Sequence, residues 1–328
     1  MLMAGRNSNT QGFSDLSDEE IFHLVESLNS LHEGELGISM LVACGERAVG
    51  FLRQFLLHGK PSSLPQPRQR ALRALAELGA KEALLEYLRE RRLVSDPAIA
   101  LGEEAVQNTA ARLLATWRTE DVFQELLRCA KRKPMAGVIE TLGEFARPEA
   151  VPHFIASLGD DVCRRPAEDA LRSVGRQAIP ALIEAARTPE PNRYFESPSS
   201  LLRRQSTVRV LADFDLSAEQ WPKLEFLLYE SEAAITIPAA VIAFRIAPEA
   251  ALSVAFRRMN QALPQADWFL QMEAESALLE HFDRLSSFIA ADIEARLRPQ
   301  SENGMHDKVL RVLCAARKKA LNREGRCA

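Results

Sequence analysis

Six histidines are the first residues to weigh for chemistry: His23, His32, His58, His153, His281 and His306. Imidazole binds metals and moves protons near neutral pH, but working ligand sets come with a spacing. None of the six stands in HExxH or HxxH, which put two imidazoles on one helix face. His32-Glu33 is the one adjacent His-Glu pair in the sequence. One such pair has too few ligands for a two-metal centre, and His32 reads more simply as a cation favoured near a helix C-terminus. Five cysteines are scattered singly at Cys44, Cys129, Cys163, Cys314 and Cys327, without CxxC. The pattern predicts reduced thiols, mostly packed in a core. There is no GxSxG, no P-loop and no GxGxxG. Cys129 has no His neighbour in sequence, which leaves a partner brought by the fold open. The chemistry expected is therefore none: no catalytic residues, no metal, no cofactor.

Binding is the other possibility. Basic clusters recur at Arg91-Arg92, Lys131-Arg132-Lys133, Arg164-Arg165, Arg203-Arg204, Arg257-Arg258 and Lys318-Lys319. They could form a ridge for phosphates, or simply complement helix C-termini. A net charge of −4 and a pI near 6.0 argue against an obligate nucleic-acid binder. The most specific local feature is TPEPNRYFESPSS (188–200), which holds Pro189, Pro191 and Pro198 around Arg193-Tyr194-Phe195. Tyr, Phe and Arg are the usual anchors of interfaces, and loops of this length are often functional. The candidate partner-binding residues are thus Arg193, Tyr194, Phe195, Arg203 and Arg204. The competing reading has Tyr194 and Phe195 fold back and plug a gap between helices.

These residues must be positioned by helices. The chain has 328 residues, 47% hydrophobic and only 6% aromatic, and Ala and Leu dominate, which favours helix. One phrase returns eight times: an apolar helix end, a short polar break, then Ala or Val opening a second apolar helix. Copies begin at Val42, Leu75, Leu114, Leu142, Leu171, Val210, Ala243 and Leu279, with steps from 28 to about 40 residues. Within each copy apolar residues fall at i, i+3, i+4 and i+7, so each helix has a one-sided apolar stripe. One hairpin cannot bury two such stripes alone, but stacked neighbours can. Gly45, Gly79 and Gly175 stand where helices end, a site for left-handed backbone. Arg118 and Ala146 replace Gly at two such breaks. Pro148, Pro152, Pro180 and Pro248 fall in first turns, where a missing N–H is tolerated. Ser17 with Glu20, and Ser217 with Gln220, fit capping boxes.

The segments AVPHFIASLGDD (150–161), GRQAIPALIEAA (175–186) and TVRVLADF (207–214) resemble the HEAT repeat, in the short bacterial form similar to phycobilisome-lyase repeats. The resemblance covers roughly residues 36–298. It implies an all-α, right-handed αα superhelix of about eight hairpins, with first helices outside and second helices lining a concave face. The expected organisation is a disordered 1–16, one solenoid domain over 17–322 capped by helices at 17–31 and 305–322, and a frayed tail at 323–328. HEAT arrays are mostly scaffolds, so the resemblance implies a non-catalytic, cytoplasmic protein–protein adaptor, a monomer by default. Two alternatives come with it. One is a phycobilin-lyase-like cofactor-handling enzyme, which needs an aromatic pocket faced by a carboxylate and an Arg. The other is a HEAT-like alkylpurine glycosylase or DNA binder using Trp, Asp and Arg; here Trp117, Trp221 and Trp268 lie in separate copies, and Trp117 reads as core. Phe55, Arg89, Arg128, Ser157 and Ala185, at one offset in successive second helices, form no stripe, which points to an irregular partner. The longest apolar run, 233–244, is too short to span a bilayer. The first twenty residues lack the apolar core of a signal peptide.

Overall fold

The computed structural model describes residues 16–90, 94–192, 195–297 and 307–324. They are helical almost throughout and fall into two compact units, Met1–Ser157 with Asp161–Ser173, and Leu158–Asp160 with Val174–Ala328.

The first unit holds α1 (Asp18–Ser27), α2 (Gly34–Ala43), α3 (Glu46–His58), α4 (Gln66–Glu77), α5 (Lys81–Arg89), α6 (Pro97–Leu114), α7 (Glu120–Arg132), α8 (Ala136–Phe145) and α9 (Val151–Ser157), and all but the last residue of α10 (Arg164–Val174). Two rows result. Helices α2, α4, α6 and α8 pack each on the next, and α3, α5, α7 and α9 do the same in a second row. The stripes read from the sequence face each other between the rows: Leu52, Leu56, Leu72, Leu75, Leu84, Leu88 and Leu126 are all buried. Close approach in the first row depends on small residues. Gly137 sits against the Asn108 backbone, where a Cβ would collide, and its N–H donates to Asn108 Oδ1 at 2.6 Å.

The second unit holds α11 (Ile179–Arg187), α12 (Pro198–Asp213), α13 (Ala233–Ile246), α14 (Glu249–Ala262), α15 (Trp268–Glu280), α16 (Phe282–Leu297) and α17 (Lys308–Glu324). Here α12, α13, α15 and α17 pack in sequence, with α14 and α16 alongside. Helix α13 is the longest apolar run. It is buried on nearly all sides, which is where a helix apolar all round belongs. No described helix is long and apolar enough to cross a membrane.

Local expectations meet the structure in detail. Gly45, Gly79 and Gly175 have positive φ of 65°, 73° and 73°; Ala146, with φ 49° and ψ 39°, is in left-handed helical backbone, whereas Gly45 has ψ −147°. The Ser17–Glu20 capping box forms. Gln220 reaches back to the Ser217 N–H at 2.8 Å. That second box opens no α-helix, however. Residues 218–223 and 225–229 are 3-10 turns, because Pro222 lacks the N–H an α-helix interior needs. The first helix ends at Ser27, short of 31, and the last runs to Glu324, through the first two residues of the expected tail. The rest of that tail, and the disorder expected at 1–15, lie outside the described residues. Trp117 is half-buried beside a surface cavity with Gly79 and Lys81, not in the core.

Charge stitches the rows. Arg53 pairs with Glu86, Arg70 with Glu35, Lys81 with Asp121, Arg89 with Glu125, Arg112 with Glu140 and Arg284 with Glu249. These partners are 28 to 40 residues apart in sequence, the range of the steps between the recurring sequence phrases.

Candidate functional site

The 188–200 excursion is a hairpin with a locked base. Helix α11 ends at Arg187, and the chain turns out through β1 (Pro191–Asn192) and back through β2 (Phe195–Glu196), with Pro191 opposite Glu196 and Asn192 opposite Phe195. Ser197 then caps α12, accepting from the Ser200 N–H at 3.2 Å, with Pro198 in its first turn.

Across the base, Ser197 N–H donates to Glu190 O at 2.9 Å, and Glu190 N–H donates to Ser200 Oγ at 2.8 Å. Ser200, itself buried, donates to Glu196 Oε1 at 2.7 Å. Arg203 pairs with Glu190 and donates to Thr188 O at 2.7 Å. Arg204 is the hub. It is 3% exposed, donates from Nε to Ala186 O at 2.9 Å and from Nη1 to Glu196 Oε2 at 2.8 Å, and pairs through Nη2 with Glu230. A guanidinium suits this role because its planar fork serves several acceptors at once.

The candidate residues therefore separate. Arg203 and Arg204 are engaged inside, holding the hairpin to its unit. Phe195 is 80% exposed, so it fills no gap between helices. Arg193 and Tyr194 lie outside the described residues.

The network reaches a surface the sequence reading missed. Glu230, on Arg204, follows Tyr229, which is 55% exposed and carries the Arg258 guanidinium 4.6 Å from its ring centroid. Phe226 is partly exposed in the same 3-10 turn. Reading 218–229 as a regular second helix hid these rings; Pro222 was the available signal.

The remaining basic clusters are divided in the same way. Arg132 donates to Leu88 O at 2.8 Å, Lys133 pairs with Glu104, and Lys319 pairs with Glu275. Arg91 and Arg92 are outside the described residues. Of the three tryptophans, Trp221 is buried and Trp268 is 62% exposed against Phe269.

Burial mutes some of the reactive groups, while Cys314, expected in the core, is exposed. Burial pushes the Cys129 thiol up, Arg132 beside it opposing. Burial likewise holds His153 and His281 below the usual imidazole range. Among the described residues no group of three or more His, Cys, Asp and Glu could hold a metal ion. One groove, of about 620 Å³ in the second unit, lies between α14, α16 and the start of α17. Phe256 and Phe288 face each other there with ring centroids 6.0 Å apart. Asp292 accepts from Arg296 at 2.9 Å and from Asn260 at 3.1 Å.

No family model and no curated protein matches this chain.

Proposed function

We propose that the chain is a non-catalytic interaction scaffold in which each unit is a run of HEAT-like hairpins and the 188–200 hairpin contacts a protein partner. The observation that carries this reading is Phe195, 80% exposed on a hairpin whose base is held by the buried Arg204. A hairpin whose base is held before binding has less backbone freedom to lose on binding. Tyr229 and Arg258 add the residue types that dominate interface energetics. The partner class is protein because the basic residues a phosphate ridge would need are partly engaged in internal ion pairs.

The test is affinity capture from native lysate with wild type beside Phe195→Ala, eluted with and without nuclease. The expected result is a protein band lost in the variant while its melting temperature stays at the wild-type value. A band retained by the variant, or nucleic acid alone in both eluates, overturns the reading.

The cofactor-handling alternative has one observation in its favour: the α14–α16 groove brings Phe256, Phe288, Asp292 and Arg296 together. Asp292 and Arg296 already bind each other, which leaves less charge to orient a cofactor. Spectral titration with a bilin, wild type against Phe288→Ala, separates this reading from the scaffold.

A further inference from the structure

The repeat-spanning ion pairs balance charge along the rows, yet two helices are left with charge of a single sign on their open faces. Residues 16–36 carry six carboxylates and no Lys or Arg. Helix α17 carries six cations and one carboxylate. Each helix divides the same way. Helix α1 buries Ile21 and Val25 and turns Glu19, Phe22, His23 and Glu26 outwards. Helix α17 buries Val309, Val312, Leu313, Ala316 and Ala320 and turns Cys314, Arg317, Lys318 and Leu321 outwards. Both outward sets have the i, i+3, i+4, i+7 spacing of one helix face. Each has one large apolar side chain among charges: Phe22, 51% exposed, and Leu321, 52% exposed. Among the described residues Glu19, Glu26 and Glu33 have no cationic partner, and Arg317, Lys318 and Arg323 have no anionic one.

We propose that the α1 face of one copy of this chain docks on the α17 face of a second copy. Charges of opposite sign around an apolar contact are how paired helices select their partners, and here one aromatic or aliphatic side chain per face supplies that contact. Like faces repel, so α1 does not pair with α1, nor α17 with α17. The contact is therefore between unlike faces, and such contacts propagate into open chains or closed rings. A face built on a ten-residue helix is small for an interface, so the association is weak. Its charges are exposed, so salt screens it. The inference is independent of the scaffold reading.

Sedimentation velocity on the full chain decides it, with a concentration series from about 5 to about 200 μM in about 20 mM and about 500 mM NaCl, salts that bracket strong and weak screening. In low salt the weight-average sedimentation coefficient is expected to rise with concentration, and in high salt to return to the monomer value. Glu19→Lys/Glu26→Lys/Glu33→Lys and Arg317→Glu/Lys318→Glu/Arg323→Glu are each expected to stay monomeric alone. An equimolar mixture of the two should associate again, because each new lysine face meets a new glutamate face. Wild type that stays monomeric throughout in low salt overturns the proposal, as does association that strengthens with salt. So does a mixture of the two folded variants that stays monomeric. If either variant fails to fold, the salt response of the wild type still decides.

Discussion

Ala146 shows what one residue contributes at a helix break. It ends α8 in left-handed backbone with φ 49° and ψ 39°, while Gly45, Gly79 and Gly175 also take positive φ at their own breaks. A Cβ in left-handed backbone costs roughly 1–2 kcal/mol, partly offset by the greater freedom glycine has in the unfolded chain. Ala146→Gly is therefore expected to stabilise the protein by about 0.5–1 kcal/mol, read as a higher urea midpoint with an unchanged slope. Arg118, the other residue standing in place of a break glycine, needs no such conformation: Ala146 is the only non-glycine with positive φ among the described residues. The two substitutions look alike in sequence, and only the backbone separates them.

At the scale of the element, the hairpin is held by side chains, since its strands are two residues each. A ladder that short has no stability of its own. Arg204 supplies the missing constraint by joining Ala186 at the end of α11, Glu196 on β2 and Glu230 beyond the 3-10 turns. Removing one member of a fully buried ion pair typically costs about 3–5 kcal/mol; Glu196 and Glu230 are only partly buried, which places this network at or below the lower end of that scale. Arg204→Ala is expected to lose stability to that extent in chemical denaturation and to open the 188–200 segment to limited proteolysis. Arg204→Lys should not restore it, because one ammonium lacks the guanidinium's fork. Phe195→Ala, on the exposed side of the same hairpin, should leave the melting curve in place. The contrast between these two variants separates what builds the hairpin from what the hairpin presents.

At the scale of the whole molecule, the ion pairs on the helix surfaces set much of the response to acid. Lys81 and, secondarily, Thr119 hold Asp121 down to about 2. Arg70 and Arg73 lower Glu35, and Arg53 lowers Glu86. Gln124 and Arg147 lower Glu120, and Arg147 lowers Glu149. Each carboxylate is depressed in the fold, so its contribution is complete above the unfolded-chain pKa of about 4. It is lost as pH falls through the folded value. The melting temperature is expected to slip modestly from about pH 7 to about pH 5, where His153 and His281 stay neutral in the fold but protonate in the unfolded chain, and to fall further from about pH 4 towards about pH 2 as the paired carboxylates protonate. Asp121→Asn should flatten part of that fall. These pairs are largely exposed, so each contributes little alone, and the effect is that of the set.

Much of this architecture is written locally. Helix, break and stripe follow from the spacing of Leu, Ile and Ala, from glycines that tolerate left-handed backbone, and from prolines in first turns, all of which act within a few residues of themselves. That is why the helical content, the positions of most breaks and the burial of residues such as Leu182 are legible in the sequence. Only the tertiary structure decided which charges meet. Arg204 and Arg203 look like one exposed basic doublet in sequence, yet one is a buried hub and the other clasps Glu190, because their acceptors come from α11, β2 and the turn before α13. Likewise Phe195 and Trp221 are both aromatic residues in irregular stretches, but one faces solvent and the other is buried. Exposure and pairing depend on what neighbouring elements bring up, here from 8 to 26 residues away, and that information is not local to either residue.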